Sequence, residues 1–355
     1  MHQINSLFDF DFTRCDTTEI LKAVNKAGKP LYTLNGLLIS LPNPNILLNT
    51  LSLQESKKSN EVEGIITTNE LLLQAIETRE GLDFATKEVL QYSDALQEGF
   101  IEMKECNNLI TSKVLVKIQQ KIRNTSEGFR TNGVTLRKGG TGEVIYTPPQ
   151  SGDEVLRLMS DLEKFINDSD EIECDPLIKM ALIHHQFERI HPFSDGNGRT
   201  GRILNSLYLV KEAGICVPVL YLSRYFVHNK HSYYTLIQEV TEQDKWEEWI
   251  LYFLKGIETI ATQTVSIVAE IQLLMVSYME DIQKNCRCFS QELVELLFQH
   301  PYVMRETIQN KLSVSGPTAT KYLNELCDHD FLVKVQKGNR NFYVNSELYQ
   351  IFQKM

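Results

Sequence analysis

Residues 191–202 read HPFSDGNGRTGR and lie between two segments with the apolar spacing of helices. Gly196, Asn197 and Gly198 are predicted to open the second helix, where backbone amides point outward at the positive end. Arg199 and Arg202 follow at a spacing of three residues, which puts them on one face of that helix. Because arginines at a helix N-terminus oppose the macrodipole, the pattern favours a bound polyanion such as a triphosphate.

Two more side chains in this stretch suit nucleotide chemistry. Asp195 precedes the amides and would repel phosphate unless a divalent cation lies between them. Mg²⁺, held by one carboxylate and phosphate oxygens, is the usual solution. His191 is the only nearby side chain of a type that can take a proton near neutral pH, so it is the predicted general base. Each feature alone is commonplace, but a phosphate site, a metal ligand and a base within one short stretch predict an active site.

The flanking segments predict a mostly α-helical fold. One helix covers about 151–166, and a second is capped by Asp175 and ends near His191. A third runs over about 199–214, where a glycine stops it. A longer helical pattern continues from about residue 244 past 275.

Short alternating segments with glycine-rich turns predict β-hairpins at two places. The first lies in 131–150, TNGVTLRKGGTGEVIYTPPQ, and its second arm is expected at Glu143–Thr147. The prolines that follow prevent it from continuing as a central strand, so its edge can accept another chain. The second hairpin is expected around Lys337, after three helices that begin near Ser290.

Length and composition limit the classes of function. The 355 residues suffice for two or three domains, and the net charge of -10 argues against binding nucleic acid by bulk electrostatics. The N-terminal residues lack a basic region followed by an apolar run, and no apolar stretch is expected to span a membrane. The seven scattered cysteines are expected to be free thiols in a cytoplasmic protein.

The stretch 191–202 also resembles the signature of the Fic family, H-x-F-x-[DE]-G-N-G-R-x-x-R. The matching positions are His191, Phe193, Asp195, Gly196, Asn197, Gly198, Arg199 and Arg202. The resemblance implies a helical Fic core at 106–285 with a small β-hairpin flap. An N-terminal helical region at 1–105 would precede it, and a winged-helix-like domain at 286–355 would follow.

The resemblance implies AMP transfer from ATP to a protein. His191 would deprotonate a Ser, Thr or Tyr hydroxyl of the substrate, which attacks the α-phosphate. Asp195 would bind Mg²⁺, Arg199 and Arg202 would hold the β- and γ-phosphates, and Phe193 would pack inward. Gly196, Asn197 and Gly198 would form the anion hole, and Asn229 and Tyr233 would contact adenine. With the rest of the phosphate site, the implied ATP-binding residues are Gly196, Asn197, Gly198, Arg199, Thr200, Gly201, Arg202, Asn229 and Tyr233.

Two further segments resemble regulatory and docking elements of the family. Residues 59–64, SNEVEG, are similar to the inhibitory motif [ST]-x-x-x-E-[GN], which implies that Glu63 pairs with Arg202 in the γ-phosphate space. The hairpin resembles the flap that aligns a target segment by strand pairing. The positions that match the inhibitory motif are Ser59, Glu63 and Gly64. The implied docking positions of the flap are Val144, Ile145 and Tyr146.

The sequence predicts a protein adenylyltransferase restrained by Glu63, which also modifies itself, and leaves three alternatives open. One is removal of AMP, with Glu63 orienting water. Another is phosphate transfer as in the Doc branch, against which Gly198 counts. The third is a DNA-binding regulator, but from Arg287 onward eight basic residues face seven acidic ones, so only weak DNA binding is expected. A homodimer stays open.

Overall fold

The computed structural model describes residues 4–69, 71–72, 75, 81–137, 140–168, 173–337 and 340–354. These residues are mostly helical, which confirms the predicted fold class. The helices are α1 Thr18–Ser40, α2 Asn45–Val62, α3 Phe84–Glu105, α4 Ser112–Arg123, α5 Gly152–Asn167, α6 Pro176–Ile190, α7 Asn197–Glu212, α8 Ser223–His228, α9 Lys230–Gln243, α10 Trp246–Asn285, α11 Gln291–Gln299, α12 Arg305–Lys311, α13 Gly316–Asp328 and α14 Ser346–Gln353. The short 3-10 helices Leu7–Asp9 and Phe12–Cys15 precede α1.

The helices around the signature stretch follow the apolar pattern of the sequence. The stripe predicted on α5 is buried, at Val155, Leu158, Met159, Leu162 and Phe165. Asp175 caps α6 by accepting a hydrogen bond from the Leu177 amide at 2.8 Å. Helix α6 ends at His191 and α7 begins after Gly196, so the two helices enclose the predicted loop.

The N-terminal helices pack directly on the predicted catalytic core. Helix α1 packs along α10, while α2 lies against α3, α7 and α8. Residues from 4 to 352 therefore share one apolar core. The C-terminal end of α2 reaches the start of α7, which places the motif at 59–64 beside the signature stretch.

Helix α10 corrects the expectation that no apolar stretch is long enough to span a membrane. It has 40 residues and passes the length and composition test for such a span. One of its faces is buried against α1 and the core, including Trp249, Phe253 and Ile257. The apolar residues at helical spacing thus have a packing role in this fold.

Two antiparallel sheets accompany the helices. Strand β1, Leu136–Arg137, pairs with β2, Val144–Tyr146, as the predicted hairpin. Near the C-terminus, β5, Arg340–Val344, lies between β3, Tyr302–Val303, and β4, Val333–Lys337. The turn predicted after Lys337 lies outside the described residues. Assignment of this region to a winged helix stays a prediction.

Candidate active site

His191 is the C-cap of α6, and its backbone is held by Arg130. The residue has a left-handed conformation with φ 50°, which histidine adopts more readily than most residues. The Arg130 guanidinium donates to the His191 carbonyl at 2.7 Å and to the Ile190 carbonyl at 3.2 Å. Its amide donates to the Pro192 carbonyl at 2.9 Å. Arg130 thus fixes the backbone at the predicted base, and no motif in the sequence pointed to it.

The loop after His191 is closed by Phe193 and Asn197. Phe193 is fully buried, as predicted. The Asn197 side chain accepts from the Phe193 amide and donates to the Phe193 carbonyl, both at 2.8 Å. The Asn197 side chain thus closes the loop, and its role in the anion hole stays a prediction. The Gly196 amide donates to its neighbour's carboxylate, Asp195 Oδ1, at 2.6 Å.

Thr200 and Gly201 lie on the inner face of α7, and their place in the implied ATP-binding set stays a prediction. Thr200 is fully buried. A Cβ at Gly201 would lie 2.8 Å from Glu188 Oε1 and 3.1 Å from a ring carbon of Phe187. The glycine therefore allows α6 and α7 to approach closely.

The predicted pair of Glu63 and Arg202 is present. Arg202 Nη2 donates to Glu63 Oε1 at 2.9 Å and to the Ser59 carbonyl at 2.9 Å, and Nε donates to Ser59 Oγ at 2.8 Å. A Cβ at Gly198 would lie 2.6 Å from Glu63 Oε1. Glycine at that position lets the carboxylate approach the first turn of α7, and Gly64 with φ +82° ends the turn that carries it.

The other predicted phosphate ligand, Arg199, is held by a carboxylate from α3. Arg199 Nη1 donates to Glu88, and it lies 3.5 Å from Asn60 Oδ1. Arg123 lies 3.6 Å from the same Glu88 oxygen and 3.1 Å from Asp195 Oδ2. Both signature arginines and the predicted metal ligand are therefore paired with groups contributed by α2, α3 and α4.

Burial lowers the pKa of His191 to about 4. The imidazole is then neutral at pH 7, as a general base must be, and is protonated only as the pH falls through about 4. We expect a ring-proton NMR titration to give His191 this depressed midpoint, with its resonance assigned by its loss in His191→Asn. A midpoint at the ordinary value of about 6.5 would contradict the buried environment.

The two predicted adenine contacts have other roles in the structure. Tyr233 is buried, and its hydroxyl lies 2.8 Å from His184 Nε2. Its assignment to adenine stays a prediction. Asn229 is half-buried and donates to the Tyr225 carbonyl at 2.9 Å. The neighbouring Tyr234 is 46% exposed and lines a cavity, so it is the aromatic ring here that a ligand can reach.

That cavity has a volume of about 720 Å³ and lies between the hairpin, the end of α6 and α9. Its lining includes Ile145 and Tyr146 of the hairpin and Lys230 of α9. The Tyr146 hydroxyl donates to the Arg189 carbonyl at 3.0 Å, which ties the hairpin to the residues before the predicted base. Val144 and Ile145 are exposed, as a docking edge requires.

The residues present fit a magnesium ion that is held mainly by nucleotide. Among the described ranges, no group of three or more His, Cys, Asp or Glu side chains is arranged to hold a metal. The Asp195 side chain is 61% exposed and stands before the first turn of α7. One carboxylate together with phosphate oxygens and waters is a usual set for Mg²⁺, so Asp195 suffices on the protein side.

Three family models match the chain. Their descriptions are Fic/DOC family N-terminal for residues 21–101, Fic/DOC family for 109–209, and Protein adenylyltransferase SoFic-like, C-terminal domain, for 274–348. The second match contains the signature stretch, and the first contains the segment at 59–64.

Similar proteins of known name and structure agree with these matches. Protein adenylyltransferase Fic of Culex quinquefasciatus is 31% identical over 56% of this chain, and that of Aedes aegypti is 28% identical over 64%. The chain matches only 34% and 40% of the lengths of these relatives. A crystal structure of a Fic family protein from Desulfovibrio desulfuricans superposes with a TM-score of 0.58 at 19% identity, over 92% of this chain and 96% of the other.

Proposed function

We propose that this chain, which belongs to the Fic/DOC family, transfers AMP from ATP to a hydroxyl group of a protein. The observation that carries the proposal is the junction of α6 and α7. A half-buried His191, neutral at pH 7, ends the first helix, and the amides and arginines of the next helix begin after one short loop. A base and an anion site are thereby held on one rigid segment.

Each part of this junction has a role in the proposed reaction. The His191 imidazole takes the proton of a Ser, Thr or Tyr hydroxyl as its oxygen forms a bond to the α-phosphorus of ATP. The bond from that phosphorus to the bridging oxygen breaks, and pyrophosphate leaves. The first amides of α7, with Arg199 and Arg202, neutralise charge on the phosphates. Mg²⁺ bound by Asp195 would supply further charge neutralisation.

The hairpin is the proposed docking element for the target. Its β2 edge is short and exposed, and an extended target segment could add to it by main-chain hydrogen bonds. Tyr146 fixes this edge relative to the residues before His191. Pairing along 144–146 would therefore bring a target hydroxyl toward the base.

Glu63 is proposed to restrain the reaction. Its carboxylate accepts a hydrogen bond from Arg202 and lies close to Gly198. It would therefore occupy the space that the γ-phosphate of ATP needs. ATP could then bind only with its phosphates displaced, so the α-phosphorus would not be aligned for attack. The Glu63 side chain is 37% exposed and stands at the C-cap of α2, so it can leave without disturbing the core.

The chemistry is tested by intact mass of the purified chain and its Glu63→Gly variant after incubation with ATP and Mg²⁺. We expect a gain of one AMP. A gain of one phosphate would support the Doc-type alternative, and no gain by either protein, with or without added candidate targets, would contradict AMP transfer. An ATP analogue with methylene between the α- and β-phosphates should give no product, whereas a β,γ-methylene analogue should still give AMP.

A further inference from the structure

We propose that Glu88 is a positioning residue for AMP transfer, which orients the phosphate-binding guanidinium of Arg199. The inference rests on the proposed function and adds a residue from α3, outside the signature stretch and the motif at 59–64. Its role is opposite to that of Glu63. Both carboxylates bind a signature arginine, but one blocks the site and the other supports it.

The contact between Glu88 and Arg199 is buried on both sides. Glu88 is 6% exposed and Arg199 is 3% exposed. A buried guanidinium requires a counter-charge, because removing one partner of a buried pair leaves an uncompensated charge. Glu88 supplies that charge to Nη1 of Arg199. Since arginine has five N–H donors in a rigid plane, a carboxylate on one nitrogen fixes the plane and leaves other donors for phosphate.

The location of each carboxylate on its helix distinguishes support from blockade. Glu63 is the C-cap of an 18-residue helix and is followed by a left-handed glycine. Glu88 lies inside the 22-residue α3, between the buried residues Thr86 and Val89. Fraying of the end of α2 can therefore release Glu63, whereas Glu88 can leave Arg199 only if α3 itself moves.

Arg123 extends the support to the predicted metal ligand. It ends α4, and its guanidinium lies between Glu88 and Asp195, at 3.6 and 3.1 Å. Glu88 is thus the shared partner of the arginine that would bind phosphate and the arginine that holds Asp195. One carboxylate therefore links the proposed phosphate ligand and the proposed metal ligand.

The test compares Glu88→Gln with its parent in a Glu63→Gly background, where the block is removed. We expect kcat for AMP transfer to fall by roughly tenfold to a hundredfold, as for other misplaced catalytic groups. Glu102→Gln is the matched control, because Glu102 lies on the same helix and pairs with Lys117 of α4 away from the site. That variant should retain the parental kcat.

A double-mutant cycle with Arg199→Lys separates positioning from general damage. If Glu88 acts through Arg199, Glu88→Gln should cause little further loss once Arg199 is replaced. Additive losses, or a parental kcat in Glu88→Gln, would overturn the proposal. Should Glu88→Gln fail to fold, Glu88→Asp keeps the charge but shortens its reach, and a parental kcat in that variant would count against positioning just as strongly.

Calorimetric titration with ATP distinguishes failure of this inference from failure of the proposed function. ATP affinity can be measured even in a chain that transfers nothing. We expect Glu88→Gln to weaken ATP binding several-fold and to show the same lack of additivity with Arg199→Lys. If the Glu63→Gly parent binds ATP but transfers no AMP, the proposed function fails while the Glu88–Arg199 coupling is still measured.

Discussion

Replacing His191 by alanine is expected to lower AMP transfer by about a hundredfold to ten-thousandfold, the usual loss for a general base. ATP should still bind, because its phosphates would be held by the start of α7, Arg199 and Arg202 rather than by the imidazole. The loss should therefore appear in kcat and leave ATP affinity nearly unchanged. Transfer is measured with ATP labelled at the α-phosphate, and affinity by calorimetry, both in the Glu63→Gly background.

Two further variants test whether that loss of transfer comes from a change in structure instead of the loss of the base. His191 has left-handed backbone, which asparagine tolerates better than alanine, so His191→Asn should fold as the parent does and still lack a base. His329→Ala replaces an exposed histidine at the end of α13 and should leave transfer unchanged. Transfer at the parental rate in His191→Asn would show that another group accepts the proton.

The helices around the site could be predicted because their signals are local. Asp175 followed by proline marks the start of α6, and apolar residues at helical spacing mark the buried face of α5. The two short strands of the hairpin follow from glycines in its turn and prolines after its second arm. The pair of Glu63 and Arg202 is distant in sequence, and only the resemblance to a family motif made it predictable.

The remaining parts of the site depend on tertiary contacts that have no local signal in the sequence. Glu88 and Arg130 lie in segments of ordinary composition. Glu88 reaches the site only because α3 and α4 pack on α7. Arg130 reaches it only because the 124–135 segment packs against His191. The sequence does not distinguish the two roles of Tyr233, because an aromatic residue near a nucleotide motif has the same sequence signal whether it is core or ligand. The same is true of the Asn197 side chain, because a loop-closing amide and an anion-binding amide look alike in sequence.

Glu63→Gly is expected to increase AMP transfer, including self-modification, by roughly 5- to 150-fold, the usual range for a coupling between two sites. The substitution removes the carboxylate from Arg202 and from the space beside Gly198. Arg202 keeps its two bonds to Ser59, so it stays in place for a phosphate. Because Glu63 is a partly exposed residue at the C-cap, outside the interior of α2, the change should have little effect on stability. The gain is measured as the initial rate of label transfer from ATP.

Glu61→Gly is the matched control for this gain. Glu61 lies in the same last turn of α2 but pairs with Lys58, at 2.9 Å, instead of Arg202. It therefore removes one negative charge and loosens the same turn without opening the phosphate site, and its transfer rate should stay close to the parental rate. If both variants gained equally, loosening of α2 would explain the effect. Unchanged or lower transfer in Glu63→Gly would contradict inhibition by Glu63. If that variant instead lost the ability to remove AMP from a pre-modified protein, the result would favour the reverse reaction, in which Glu63 positions water.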